Sequence, residues 1–258
     1  MVSSPPASGC TTTFDMVLQT ADRLLRDFIS IEDVAAPGKE IQNVKQVRYN
    51  AANGETAVAV LKQAMLEYPR AVVTRDLTDA ALAAALVELA DSEQLVIVSV
   101  RAADAIDAIQ KLLALGIDRE KLAHCLLGSL SGRLVRQLCT KCSEPVATTA
   151  EMQKWLGRTA EEAPEIRRPS SVGGCRACAG RMYVGRTAIF ELASGPTLRQ
   201  AIAQQGDATA LRKAALRDGM KSLSDAGRAL IVAQASSQEE LQRAFAVKKE
   251  AGPAGAKR

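Results

Sequence analysis

"SSPPASGCTTTFD", residues 3–15, is the stretch on which the fold turns. A phosphate-binding loop between a strand and a helix reads G-x-x-x-x-G-K-[ST]. Its glycines let the backbone curl around the anion, its lysine reaches the outer phosphates, and its hydroxyl meets a metal. On that pattern Ser4 stands at the first glycine, Gly9 at the second, Cys10 at the lysine and Thr11 at the hydroxyl, so two of the four fixed positions differ. Behind it Phe14, Val17, Leu18, Ala21, Leu24 and Leu25 recur at helical spacing, which predicts a helix directly after the loop, its start where an anion could sit. Taken alone, the motif favours a plainer reading, a Ser/Pro/Gly tail ahead of a threonine-capped helix.

Outward from the loop, strand-like and helical patterns alternate. Residues 28–50 hold short β-branched pieces broken at Pro37–Gly38, and a helix is predicted around Ala57–Leu66, closed by Pro69. "AVVT" (71–74) reads as a strand and "DAALAAALVELA" (79–90) as a helix, with Asp79 best placed as its cap. "QLVIVSV" (94–100) is a near-continuous apolar run of the kind buried on both faces of a parallel sheet. Residues 104–117 and 119–138 read as two further helices. Such alternation predicts a doubly wound α/β layer. From Cys139 to Met182 apolar periodicity fades, and from Gly185 an α-rich region begins, ending in the tail "KKEAGPAGAKR", expected to be disordered.

At 258 residues, 47% hydrophobic and 24% charged, the chain can bury a core. A net charge of +4 with 3% aromatic residues argues against a nucleic-acid platform, which needs a concentrated basic face and stacking rings. No apolar run reaches membrane-spanning length and the first residues lack a secretion signal, so the expected compartment is cytoplasmic. There the six cysteines are expected as metal ligands or core residues, not disulfides.

Four of them form two pairs, "CTKC" (139–142) and "CRAC" (175–178). Each C-x-x-C sets two sulfurs on one knuckle, and two knuckles close a four-thiolate site in which zinc keeps no open position. Cys139, Cys142, Cys175 and Cys178 are therefore predicted to hold a structural Zn²⁺, with iron or a redox dithiol as the other uses of such pairs. His124 and Cys125, within an apolar stretch, read as packing residues.

"LLGSLSGRLVRQLCTKC" (126–142), "CRACAGRMYVGRTAIFELA" (175–193) and "LRKAALRDGMKSLSDAGRALIVAQASSQEEL" (211–241) resemble the C-terminal part of the traffic ATPases of type II secretion and type IV pilus assembly. Phased from there, the resemblance runs back through residues 101–117 and 30–47 to the opening loop. It implies a RecA-like P-loop NTPase core over 1–138, truncated at its N-terminus, a zinc-binding module over 139–182 and a C-terminal helical lobe over 183–248, with the tail at 249–258. In that frame Ser8, Gly9, Cys10, Thr11 and Thr12 form a degenerate nucleotide-binding loop for ATP and Mg²⁺. Glu32 falls in the acidic box and Asp76 at the acidic strand end, as vestigial catalytic carboxylates.

The resemblance breaks at the loop lysine (Cys10), the first loop glycine (Ser4), the strand-end glutamate (Asp76) and a histidine whose place Arg101 takes. Loss of the lysine removes a charge-assisted contact to phosphate, while backbone amides at a helix start remain. The expectation is a pseudoenzyme. It would be a nucleotide-binding-impaired, non-hydrolysing structural or regulatory component of the secretion or pilus machinery at the inner membrane, beside an active paralogous ATPase in a hexamer. Two alternatives stay open: a working ATPase in which Arg101 and Glu32 take over, and a stand-alone zinc-ribbon binding module.

Overall fold

The computed structural model describes residues 1–21, 27–159 and 164–246. Two compact units emerge: Met1–Arg133 with Ala188–Ala226, and Leu134–Thr187 with the residues from Gly227 onward. These units divide the chain by packing and so cut it at other points than the spans expected from sequence. Leu24 and Leu25 of the expected first helix, and the tail at 249–258, lie outside the described residues.

Strands β1 (Val2–Ser4), β2 (Phe28–Asp33), β3 (Val44–Tyr49), β4 (Ala71–Thr74), β5 (Leu95–Arg101), β6 (Ser129–Leu138) and a late strand (Tyr183–Ala193) form a seven-stranded sheet. The first six run in the order β3-β2-β4-β5-β1-β6, with every neighbouring pair among them parallel. Parallel strands need crossovers, supplied by helices α1 (Cys10–Thr20), α2 (Ala57–Ala64), α3 (Ala80–Asp91), α4 (Ala105–Ala114) and α5 (Arg119–Cys125).

Period-two alternation sorts the strand side chains to two faces. Phe28, Ala71 and Val73 pack with Phe14 and Leu18 of α1, whereas Ile29, Ile31, Val72, Val98 and Val100 pack with α2 to α5. Both faces are covered, as the apolar run in β5 predicts. Helices α2 and α3 begin where their sequences place a side-chain acceptor: Thr56 accepts from the Ala59 amide and Asp79 from that of Leu82.

Two elements differ from expectation. Residues 119–138 contain one short helix, α5, followed by strand β6, and not one long helix. Leu126, Leu130, Leu134 and Leu138 recur every fourth residue, a spacing that satisfies the helical period closely and the strand period fully, so the pattern alone cannot separate them. Leu126 turns extended after α5, and β6 then pairs in parallel with β1, burying Ser129 and Ser131. Arg133 and Arg136 therefore sit on a strand. The α-rich span after Met182 likewise opens as a strand, Tyr183–Ala193, before its helices begin.

In chain order, β7 (Glu144–Val146) and β8 (Ile166–Arg168) form an antiparallel pair flanking α6 (Ala150–Leu156); the strand Tyr183–Ala193 is β9. Four helices follow: α7 (Pro196–Ala203), α8 (Ala208–Arg217), α9 (Leu223–Val232) and α10 (Gln238–Phe245). Within the first unit the buried Glu191 on β9 accepts from the Ala105 amide at the start of α4 (2.7 Å) and from the Leu223 amide at the start of α9 (2.9 Å). One carboxylate thus serves two helix N-termini, where negative charge is favoured. Glu191→Gln keeps the shape but turns one acceptor into a donor facing an amide. It is expected to lower unfolding free energy by about 1–3 kcal/mol, read by urea titration against wild type; an unchanged midpoint would count against the clamp.

Candidate functional site

Strands β1, β2, β4 and β5 end at Ser4, Asp33, Thr74 and Arg101, and their carboxyl ends share one edge of the sheet. Ligands of open α/β sheets bind at such an edge. A cavity of about 340 Å³ opens there, lined among others by Cys10, Thr11, Glu32, Gly38, Thr74 and Asp76. Candidates drawn from three distant parts of the sequence therefore come together.

The opening stretch does form a curled loop between β1 and α1. Ala7 and Gly9 both take left-handed conformations, with φ of 59° and 95°, and the Ser8 amide donates to the Pro5 carbonyl at 3.2 Å. Alternating handedness of this kind turns successive amides inward, making a concavity suited to an anion. Gly9 caps α1 without a side-chain bond and accepts from the Thr13 amide, which leaves the amides of Cys10, Thr11 and Thr12 at the open end of the helix. Cys10 contributes no charge at neutral pH: burial pushes its thiol up, offset in part by a hydrogen bond with Ser4.

Glu32 is buried, because Phe28, Ser30 and Glu32 share the α1 face of β2. Its Oε1 accepts from the Ser30 hydroxyl and its Oε2 from the Gly38 amide at 2.8 Å. Arg75 lies between Glu32 (3.8 Å) and Asp15 of α1 (2.7 Å), with its guanidinium 4.8 Å from the Phe14 ring centroid. A Cβ on Gly38 would stand 2.3 Å from Arg75 Nε, so a side chain there would have to push the Arg75 guanidinium aside.

Asp76 follows β4 in a left-handed conformation (φ 47°), and its amide donates to Ser99 Oγ at 2.8 Å. Its carboxylate takes both arms of Arg101, Nη2 at 2.6 Å and Nε at 3.2 Å. This fork raises the Arg101 pKa through the hydrogen bonds and charge of Asp76. The two strand ends at which the sequence departs from the family pattern are thus bonded to each other.

Sequence reasoning missed Arg75, which pairs with Glu32 and Asp15, and Thr74, which lines the cavity and whose buried Oγ1 has no hydrogen-bond partner among the described residues. The alternation Phe28, Ser30, Glu32 was the available signal for the first. His124, expected to pack, is exposed and pairs with Asp91 at 2.7 Å.

In the second unit Cys139, Cys142, Cys175 and Cys178 converge, their four sulfurs within 4.8 Å of one another. The pairs 139–175 and 142–178 stand at 3.8 Å and 175–178 at 3.9 Å. A tetrahedron with metal–sulfur bonds of about 2.3 Å has edges of about 3.8 Å, which these three distances match, so the cage fits zinc. Turns place the knuckles: Ala179 takes a left-handed conformation and the Gly180 amide bonds back to the Cys175 carbonyl. Burial pushes the Cys178 thiol up, but the Met182 amide and the neighbouring thiols outweigh it and bring it down to about 7. In the same unit Glu240, fully buried, accepts from the Arg136 amide (2.8 Å), Arg136 Nε (2.7 Å) and both arms of Arg243.

A family model described as "Type II/IV secretion system protein" matches residues 1–243. The chain is 30% identical to the type IV pilus assembly ATPase PilB of Thermus thermophilus, over 88% of this chain and 25% of that protein. It is 28% identical to the type II secretion system protein HxcR of Pseudomonas aeruginosa, over 94% of this chain and 47% of that one. The chain thus spans between a quarter and half the length of these relatives. Among solved structures, the pilus retraction motor PilT with bound ADP superposes with a TM-score of 0.59 at 17% identity, over 96% of this chain and 61% of that one. That likeness establishes the RecA-like fold. With the family pattern matched from the curled loop through the four-cysteine cage to α10, this chain belongs to the type II/IV secretion system protein family.

Proposed function

We propose that this protein is a nucleotide-binding, non-hydrolysing component of a type II secretion or type IV pilus assembly machine. The observation that carries the reading is the curled loop at the carboxyl ends of four parallel strands, shape retained, with an uncharged thiol at its lysine position. The open amides of Cys10, Thr11 and Thr12 hold a phosphate chain at the start of α1, within the loop that Ser8 and Gly9 shape. Phosphoryl transfer needs charge stabilisation on the outer phosphate in addition to positioning. Here both Glu32 oxygens already accept hydrogen bonds, from Ser30 and Gly38, and Arg101 forks Asp76, which disfavours either in orienting water or replacing the lysine.

Zn²⁺ held by Cys139, Cys142, Cys175 and Cys178 supplies cross-linking and no chemistry, since four thiolates leave it no open position. No helix among the described residues is long and apolar enough to cross a membrane. The protein works in the cytoplasm, docked to the machinery at the inner membrane and beside an active paralogous ATPase in a hexameric ring. The domain roles proposed are nucleotide core, zinc module and helical lobe over 1–138, 139–182 and 183–248. Calorimetric titration of the zinc-loaded protein with ATP is expected to give saturable one-site binding. A flat titration would remove the nucleotide-binding reading.

A further inference from the structure

The family's nucleotide chemistry brings magnesium; Thr11 keeps the loop hydroxyl that meets it, but the strand-end carboxylate, Asp76, is not open to it. Mg²⁺ asks for oxygens at about 2.0–2.1 Å in an octahedron, and sits on one or two carboxylates together with the substrate's phosphates. Every carboxylate lining this cavity already has a partner. Asp76 gives both oxygens to Arg101, and Glu32 gives Oε1 to Ser30 and Oε2 to Gly38. Asp33 accepts from the Ala35 amide at 2.9 Å, and Asp79 caps α3. A guanidinium never deprotonates in proteins and matches a carboxylate in two parallel bonds, so Arg101 is a fixed positive charge on the carboxylate a metal would use.

The cavity nonetheless asks for a ligand. Thr74 lines it, and its Oγ1 is buried with no partner among the described residues; a buried hydroxyl carries an unmet desolvation cost until something bonds it. The open amides of α1, an eleven-residue helix, line the same space through Cys10 and Thr11. An acceptor-rich group such as a phosphate satisfies the hydroxyl and the amides together, with Asp76 already neutralised.

The geometry points to a site that binds nucleoside polyphosphate without a divalent cation, the Arg101 guanidinium on Asp76 holding the charge that magnesium holds elsewhere. This rests on the nucleotide-binding reading above. It assigns Arg101 as a positioning residue that masks Asp76 from the ligand. Removing Arg101 exposes a carboxylate, which then repels phosphate unless a cation covers it.

The test is ADP binding by calorimetry to the zinc-loaded protein, in magnesium and in EDTA. Wild type is expected to give dissociation constants that agree within about twofold in the two buffers, whereas Arg101→Ala loses about tenfold or more in EDTA and recovers in magnesium. Asp76→Asn, with no charge to mask, is expected to stay independent of magnesium, and keeps the test alive if Arg101→Ala does not fold. Wild-type binding that needs magnesium, Arg101→Ala behaving as wild type, or Asp76→Asn acquiring a magnesium requirement each overturns the inference while the nucleotide site stands. ADP binding in neither buffer overturns both.

Discussion

Stripping zinc with a tight chelator, or replacing Cys178 with serine, is expected to melt the segment 139–182 and to lower the thermal midpoint sharply. Four cysteine sulfurs at this spacing would, with zinc bound, hold the β6–β7 turn and the loop before β9 through the metal. Structural zinc contributes about 10–16 kcal/mol in peptide-sized modules, and even a fraction of that rivals the about 5–15 kcal/mol that holds a whole domain together. Protons compete for the same sulfurs. Cys178 sits at about 7, whereas hydrogen bonds with the other three thiols and burial outweigh a backbone contact and push Cys142 up to about 12. Zinc binding at neutral pH therefore displaces protons, and affinity falls as pH falls. Elemental analysis is expected to find one zinc per chain, lost on acidification. Iron in its place, or a midpoint indifferent to chelation, would contradict the assignment.

Glu240→Ala is expected to cost about 1–3 kcal/mol, because it removes the buried acceptor of the Arg136 amide and of two arginines that keep part of their solvation. The pair is further fixed from the Arg136 side, whose guanidinium lies 4.1 Å from the Tyr183 ring centroid while the Tyr183 hydroxyl meets Ser237. Burial raises the Glu240 pKa, but the hydrogen bonds of Arg243 and Arg136 outweigh it, and the net shift is below the ordinary 4.5. A carboxylate depressed on folding adds stability above its unfolded pKa and loses it as pH falls through the folded value. The gap between wild type and Glu240→Ala should therefore be full at pH 7 and shrink below about pH 4.5. Urea titrations at the two pH values read it directly; a gap that is constant with pH would show that Glu240 acts through packing alone.

Much of this was legible in the sequence. The C-x-x-C pairs declared themselves because ligand spacing is local: each knuckle is four residues long, and only the meeting of two knuckles needs the fold. The apolar run of β5 and the caps Thr56 and Asp79 were readable for the same reason. Where the reading failed, two periods fitted one pattern. Leucines every fourth residue from Leu126 to Leu138 suit a helix, and pairing with β1 decided for a strand. The pairing of Asp76 with Arg101 was hidden for a different reason. Twenty-five residues separate them, and they meet only because β4 and β5 are parallel neighbours whose carboxyl ends align. Read as isolated departures, Asp76 and Arg101 suggested decay of a site; as a bonded pair they read as a matched exchange of charge.

The claim that joins these observations is that the loop keeps its shape and has lost its chemistry. Phosphate release from ATP by the zinc-loaded protein, in magnesium and at saturating nucleotide, tests it most directly. The account predicts release no faster than buffer while ATP remains bound. Sustained, magnesium-dependent turnover, abolished by Glu32→Gln, would mean that Cys10 does not silence the site and that the protein is a working ATPase.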